Sequence, residues 1–513
     1  MRVNRKEFLQ LVGRGTAASV AVASVGSHRD AAAQAQAPAR QKKEVRGNAI
    51  KGTTDAVKTF IASASLGNMP ANVVTEGKRC LIDNVGVLLA GSTAEGSRIL
   101  RTYAQKSSGA REATVLGRDQ LVCSAAHAAL ANAGSAHALD YDDTQLSTTP
   151  DRTFGLLTHP TTPAMSAALA VAERSGASGA AFLEAYLVGV EVECKMAEAI
   201  DPNHYERGFH STGTLGVFGA AAAAGKLMKL NEAQLAHMLA IASSLSAGIR
   251  VNFGSMSKPL NAARASENGV FAAELASHGF TGGDNGLDGQ WGFFQVLGDG
   301  ADLDRLVGKL GQTWSIVSPG VSFKPYPCGS LSHPSMDAMM KVVKDHDLKP
   351  EQIKAVRLRA GNNILEPLRY GIANNELEAK FSVPFLMSAV ILTRRAGMRE
   401  FTDAFVQSPA ALQMMQRVTA VHDLDIEKQG FDKIRSIVEV DLVDGRKLVQ
   451  PSDDRYRGGP ENPFTREDLK AKFDDCAGLV LPPDRLTPAF NAIESVESLA
   501  DIRQLVRTLS SRT

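Results

Sequence analysis

Residues 214–230, TLGVFGAAAAAGKLMKL, are apolar almost all the way round a helical wheel and contain five consecutive alanines. A helix without a polar face has to be enclosed by other parts of the protein. The stretch is too short, and too close to Lys226 and Lys229, to cross a bilayer. The chain must therefore supply enough further helices to surround it. The sequence offers them. Residues 70–89, 163–172, 178–199 and 264–278 show 3.6-residue apolar spacing or Ala-rich helical composition. Asn231 stands where a capping residue would open another helix, and Gly279 where one would end. Aromatic residues make up only 6% of the chain. That scarcity, beside abundant Ala and Gly, favours closely packed helices over a β-sandwich.

The pattern changes after about residue 321. Residues 353–358 alternate like a strand, as do 437–442, and Asp444-Gly445 predicts a hairpin turn into Lys447-Leu448-Val449. Helical runs lie at 335–343 and 381–394, and residues 465–509 return to helix. A chain of 513 residues exceeds what one core usually serves. The expected fold class is therefore mainly α, with a large all-helical domain from residues 51–320 and 460–513. A smaller α+β domain is expected from residues 321–459.

The first 37 residues read differently. A basic start is followed by a weakly apolar stretch and Ala-rich cleavage options. Asn4-Arg5-Lys6-Glu7-Phe8-Leu9 resembles a twin-arginine export signal with Lys in the second Arg position. Periplasmic localisation is the expectation, with residues 38–50 as a linker. The apolar stretch is too short for a permanent membrane anchor. The leader holds five basic and two acidic side chains, so a total charge of +1 leaves about −2 for the body. A near-neutral body speaks against a nucleic-acid partner. Five widely spaced cysteines without CxxC spacing speak against a disulfide framework or a zinc site.

Candidate chemistry is scattered. Asp140-Tyr141-Asp142-Asp143-Thr144 crowds three carboxylates, so at least one should resist ionisation unless cations balance them. A solvated turn is the plainer explanation, and the ligand spacing of a calcium loop is absent. His159-Pro160 stands before a helix start, as do His210-Ser211-Thr212 with Arg207 upstream. Helix N-termini attract carboxylates, although capping explains these residues equally well. Lys258-Pro259 opens another helix, and Lys324-Pro325-Tyr326-Pro327-Cys328-Gly329 lies where the two domains should join. A lone surface lysine and a stiff linker are the alternatives. Together these residues offer cations, imidazoles and a carboxylate. That set suits a small substrate with several carboxylates, one of whose α-protons is removed. No Walker motif, dinucleotide fingerprint or HExxH is present.

The ordered stretches HALDYDDT, THPTTPAMSAALAVAE, RGFHSTGTLGVFGAAAAAGKL, SKPLNAARASENG, GFTG, KPYPCGSLSHPSMDA and NPFTREDLKAKF resemble the MmgE/PrpD family. That family includes 2-methylcitrate dehydratases, cis-aconitate decarboxylases and iminodisuccinate epimerases. The resemblance implies a helical domain built from both chain ends, a homodimer, no metal or organic cofactor, and a cleft between the domains. By motif position it implies that Asp140, Thr144, His159, His210, Lys258 and Lys324 line the cleft. Two positions depart from the decarboxylase branch: Gly329 stands where that branch carries His, and Phe385 where it carries Tyr.

The expected activity is that of a cofactor-free lyase on a small polycarboxylate, hydro-lyase first and decarboxylase second. Asp140, His159, His210, Lys258 and Lys324 are the catalytic candidates. Thr144, Arg207, Lys258 and Lys324 are the substrate-binding candidates. Which of Asp140 and His159 is acid and which is base is left open. An epimerase on the same scaffold, and a non-catalytic periplasmic carboxylate-binding protein, are the rival readings.

Overall fold

The computed structural model describes residues 50–147, 149, 158–430 and 432–510. The export signal and nearly all of the linker expected at the start lie outside the described residues.

The first helices are α1 (Thr53–Ser63), α2 (Ala71–Gly91) and α3 (Glu95–Ser107). A short hairpin, β1 (Ala113–Val115) and β2 (Leu121–Cys123), interrupts the helical region. That hairpin was not expected from the sequence; its strands are too short to show an alternating pattern. Then come α4 (Ala125–His137), α5 (Thr161–Ser175), α6 (Gly179–Ile200), α7 (Ser211–Leu227), α8 (Glu232–Leu245) and α9 (Ser257–Ser277). Helix α7 is the stretch without a polar face, and it is buried from Ser211 to Gly225. Helices α5, α6, α8 and α9 all pack against it.

Small residues allow this packing. A Cβ on Gly189 of α6 would fall 2.5 Å from the Gly219 carbonyl oxygen of α7. A Cβ on Gly269 of α9 would fall 2.4 Å from the Ala220 Cβ. The backbones approach so closely that only glycine fits at these crossings. Between them, Leu215, Val217 and Phe218 are fully buried, each contributing roughly 1.5–3 kcal/mol.

The later part contains α10 (His333–Asp345), β3 (Ile353–Ala360), α11 (Val383–Thr393), β4 (Val418–His422), β5 (Ser436–Leu442) and β6 (Lys447–Pro451). The strand order is β4-β3-β5-β6, with β3 and β4 parallel and the other pairs antiparallel. The Asp444-Gly445 turn joins β5 to β6, with Gly445 at φ 89°. Strand β5 alternates buried and half-buried residues. Its Val438 and Val440 face the side covered by α10. On the other face Arg357 and Arg359 pair with Glu439, Asp441 and Asp423.

Helices α12 (Arg466–Ala477) and α13 (Pro483–Glu494) then return to pack on α2. Of the described residues 57% are helical and 9% are in strands, a mainly α fold with a smaller α+β part. One apolar core draws on residues 50–323 and 464–509. A second draws on residues 326–456, with Leu146. Among the described residues no helix is long and apolar enough to cross a membrane.

Candidate active site

One pocket, holding about 450 Å³ of empty space with its open mouth included, lies where the two apolar cores meet. It is lined by Asp140, Thr144, His159, His210, Lys258 and Lys324. Facing these polar groups are Phe253, Leu331, Pro367, Leu368 and Phe381.

Four of the six polar residues stand at or near a helix end. Asp140 follows α4 in the left-handed region, at φ 53°, a conformation that is uncommon outside glycine and that aspartate tolerates better than most. His159 stands two residues before the start of α5, and His210 is the N-cap of α7. Lys258 is the second residue of α9. Lys324 lies on the strap between the two cores. Thr144 is held by paired backbone bonds to Ser322, and its hydroxyl donates to the Thr158 carbonyl at 3.0 Å.

Asp140 is the centre of charge. Its Oδ1 accepts from Lys258 Nζ, and from Lys324 Nζ at 2.6 Å. Lys324 also donates to the Asp140 and Cys328 carbonyls, at 3.0 and 3.2 Å. The second oxygen, Oδ2, is buried without a partner. Burial opposes ionisation of Asp140, but Lys258 and Lys324 overcome it and hold the carboxyl well below its usual range. Burial also lowers Lys258 to about 8, with Asp140 pulling the other way and Lys324 adding to the fall. The Lys258 ammonium sits 5.4 and 5.6 Å from the ring centres of Phe253 and Phe381.

Three imidazoles complete the site. His159 Nε2 is 3.9 Å from Asp140 Oδ1, and its Nδ1 is 3.3 Å from Asp142 Oδ2. His137 Nδ1 lies 3.0 Å from both oxygens of Asp142. His210 Nδ1 accepts from Asn261 Nδ2 at 3.0 Å, which leaves the His210 proton on Nε2. Burial, with lesser contributions from neighbouring charges, lowers all three: His137 to about 4, His159 below its ordinary value and His210 well below it. At neutral pH they are uncharged.

His137, Asp140, Asp142 and His159 bring one donor atom each within 4.8 Å of one another. Asp140 in that set already carries two ammonium groups, whose charge opposes a further cation.

Residues 55–306 match the MmgE/PrpD N-terminal domain, and residues 326–494 the MmgE/PrpD C-terminal domain. The chain belongs to the MmgE/PrpD family. It is 27% identical to the cis-aconitate decarboxylase of Homo sapiens over 470 residues, covering 90% of this chain and 95% of that one. It is likewise 27% identical to the mouse (Mus musculus) cis-aconitate decarboxylase over 474 residues, 90% of this chain and 94% of that one. It is 24% identical to a cis-aconitate decarboxylase-like protein of Aspergillus oryzae, over 88% of this chain and 96% of that protein.

Six of the seven candidates read from the sequence, the six that the family resemblance implies, come together in the pocket. Arg207 does not. It is exposed, donates to the Leu297 carbonyl at 3.1 Å and stacks over Phe209, outside the lining. Its neighbour Tyr205 lines the pocket instead. Of the three crowded aspartates, Asp140 and Asp142 are held low, and the penalty falls on Asp143. Burial and the nearby Asp83 push Asp143 well up, while Thr161 Oγ1 donates to it at 2.7 Å.

His137 and Asp142 were missed as individual candidates. Both lie inside the HALDYDDT stretch, but the sequence does not show that the end of α4 turns them toward His159. Of the two departures, Gly329 lines the pocket, with Leu368 and Phe381 filling the space toward which a Cβ would point. Phe385 is fully buried against Phe401 and Phe405, away from the lining. Burial pushes the Cys328 thiol up to about 12, and its sulfur packs beside Ser332 and Met336.

Proposed function

We propose that this protein is a lyase acting on a small polycarboxylate, by building negative charge on a carbon next to a carboxylate. The observation that carries the reading is the arrangement of two buried ammonium groups around a single carboxylate, beside neutral imidazoles, in one pocket. Asp140 offsets only one of the two positive charges, so an incoming carboxylate finds a cation awaiting it.

His159 is the better base. Asp140 is pinned between two cations, which makes it a weak acceptor for a carbon-bound proton. His159 is neutral, with Asp142 behind it to balance the charge it gains. In the dehydration reading His159 takes the α-proton and the C–H electron pair forms the double bond. The C–O bond breaks, and the leaving hydroxyl takes a proton from Lys258 and departs as water. Lys324 stabilises the developing aci-carboxylate charge. The proton on His159 returns to Lys258 through solvent, closing the cycle.

A second reading is loss of carbon dioxide, favoured by the names of the three relatives and by the apolar wall of Phe253, Leu331, Leu368 and Phe381. A carboxylate against that wall loses hydration, which favours its departure as a neutral molecule. The C–C bond then breaks and Lys258 protonates the carbon left behind. The export signal and the homodimer expected from the sequence are part of the same proposal; finding uncleaved cytoplasmic protein would remove the former.

The test is proton NMR in deuterated water with 2-methylcitrate, citrate, cis-aconitate, tartrates and aspartate-derived diacids. Product formation that disappears in Lys258→Ala and His159→Ala supports the lyase. Deuterium exchange without elimination indicates an epimerase. Line broadening of one compound without turnover indicates a binding protein.

A further inference from the structure

We propose that Asp142 and His137 are positioning residues for His159: a buried carboxylate clamped between two imidazoles that fixes the pocket-facing nitrogen of His159 as the base. The inference rests on the lyase reading for its kinetic consequences, and on geometry alone for its structural one.

Neither residue lines the pocket. His137 is the last residue of α4 and its side chain is fully buried. Asp142 is fully buried too. Burying a carboxylate is costly unless its oxygens are satisfied, and here three neighbours address them. His137 Nδ1 approaches both oxygens at 3.0 Å, and Thr162 Oγ1 donates to Oδ2 at 2.7 Å. His159 Nδ1 stands 3.3 Å from Oδ2. An ionised carboxylate only accepts. His137 must therefore carry its proton on Nδ1, and a proton on His159 Nδ1 is favoured in the same way.

That choice leaves His159 Nε2 with its lone pair, on the side of Asp140 and the pocket. The His159 main chain is anchored as well, its N–H donating to Thr212 Oγ1 at 3.0 Å. The His137 ring packs edge-on against His159, with centroids 4.5 Å apart. The 3.3 Å contact is not aligned as a hydrogen bond, and His159 Nδ1 has no other partner among the described residues; catalytic contacts that are poorly aligned in the free protein tighten when substrate binds and charge develops. Imidazolium formed on His159 is then balanced by Asp142, while His137 keeps the carboxylate in place. The charged and titratable groups around His159 are Asp140, Asp142, His137, Lys258, Lys324 and His210. Of these, Asp142 raises its proton affinity most, and Lys324 and Lys258 lower it.

The decisive variant is Asp142→Asn, assayed on the full chain with whichever polycarboxylate it turns over. The expected result is a loss of about 10²- to 10⁴-fold in kcat with KM changed little. The acid limb of the pH profile should also shift to lower pH, because His159 loses the partner that raises its proton affinity. A purely structural role would lower the plateau without moving that limb. His137→Leu should cost about 10- to 100-fold in kcat. His137→Asn, whose amide can still donate to Asp142, should restore most of it. Asp142→Asn retaining kcat within about threefold, with its limb unmoved, overturns the proposal.

A readout independent of turnover separates this inference from the lyase reading. Nitrogen-15 NMR, assigned with His159→Gln, should show His159 protonated on Nδ1 in the parent protein and of mixed tautomer in Asp142→Asn. The same tautomer in both proteins overturns the clamp whether or not any substrate is found.

Discussion

At the residue scale, the site is governed by which buried groups carry charge at neutral pH. In the proposed mechanism His159 must be uncharged to take a proton, and burial lowers its proton affinity below the ordinary histidine value. Lys258 must be charged to give one, and burial lowers it to about 8. The kcat/KM profile should therefore be bell-shaped, with its rising limb below the ordinary histidine pKa of about 6.5 and its falling limb near pH 8. Lys258→Arg keeps the positive charge but abolishes titration in this range, and should remove the falling limb at a cost of about 10²-fold or more in kcat. Measuring the profile in both proteins checks the assignment. The sequence placed His159, His210 and Lys258 as candidates because they stand before helix starts, Asp140 because two further carboxylates crowd it, and Lys324 because it lies where the two domains should join. It did not separate the roles of Asp140 and His159. That distinction depends on two lysines, distant in the chain from Asp140, reaching the same oxygen.

At the element scale, the helices are closely packed because glycines stand at their crossings. Gly189→Ala would gain up to about 1 kcal/mol of helix propensity. It would also drive a Cβ to 2.5 Å from the Gly219 carbonyl oxygen and 3.0 Å from Ala164 and Ala223. The steric cost should win, with a net loss of about 1–3 kcal/mol in a denaturant titration. Gly371→Ala, which meets nothing within 4 Å, is the control and should change little.

Helix α6 also carries buried acids. Burial raises Glu191 from 4.5 to about 7, against the favourable pull of Lys195 and the N–H groups of Ser315 and Gly311. A carboxyl raised in the folded state contributes stability that is present below its unfolded pKa and lost as pH rises through its folded pKa. Glu191→Gln removes that loss. Its stability relative to the parent should therefore rise between about pH 4.5 and 7, by about 3 kcal/mol in total. Thermal melts of both proteins across that range test it. The sequence showed α6 as a helix by its apolar spacing, but a pattern of apolar positions cannot reveal that its acids are enclosed as well.

At the scale of the whole molecule, the chain returns on itself to brace the site. Lys472 of α12 donates to the Tyr141 carbonyl at 2.8 Å and pairs with Asp83 of α2 at 2.6 Å. Both side chains of that pair are buried. Lys472→Met should leave Asp83 as an unpaired buried carboxylate, costing about 3–5 kcal/mol. It should also lower kcat, because the turn holding Asp140 loses its anchor. Adding Asp83→Asn should recover part of the stability. A double variant no more stable than Lys472→Met alone would show that the ion pair is not what binds α12 to α2.

By itself the sequence determined the helical character, the strand-rich stretch after residue 321, the Asp444-Gly445 hairpin and the family. These follow from local periodicity, turn chemistry and ordered motifs, each legible within a few tens of residues. It also named six of the residues that line the pocket. Only the tertiary structure decided that Arg207 faces outward, that Asp143 rather than Asp140 bears the cost of crowding, and that His137 and Asp142 stand behind His159. Those outcomes depend on burial and on charges brought together from positions 137, 159, 258 and 324, and a linear pattern does not encode the distance between side chains so far apart in the chain.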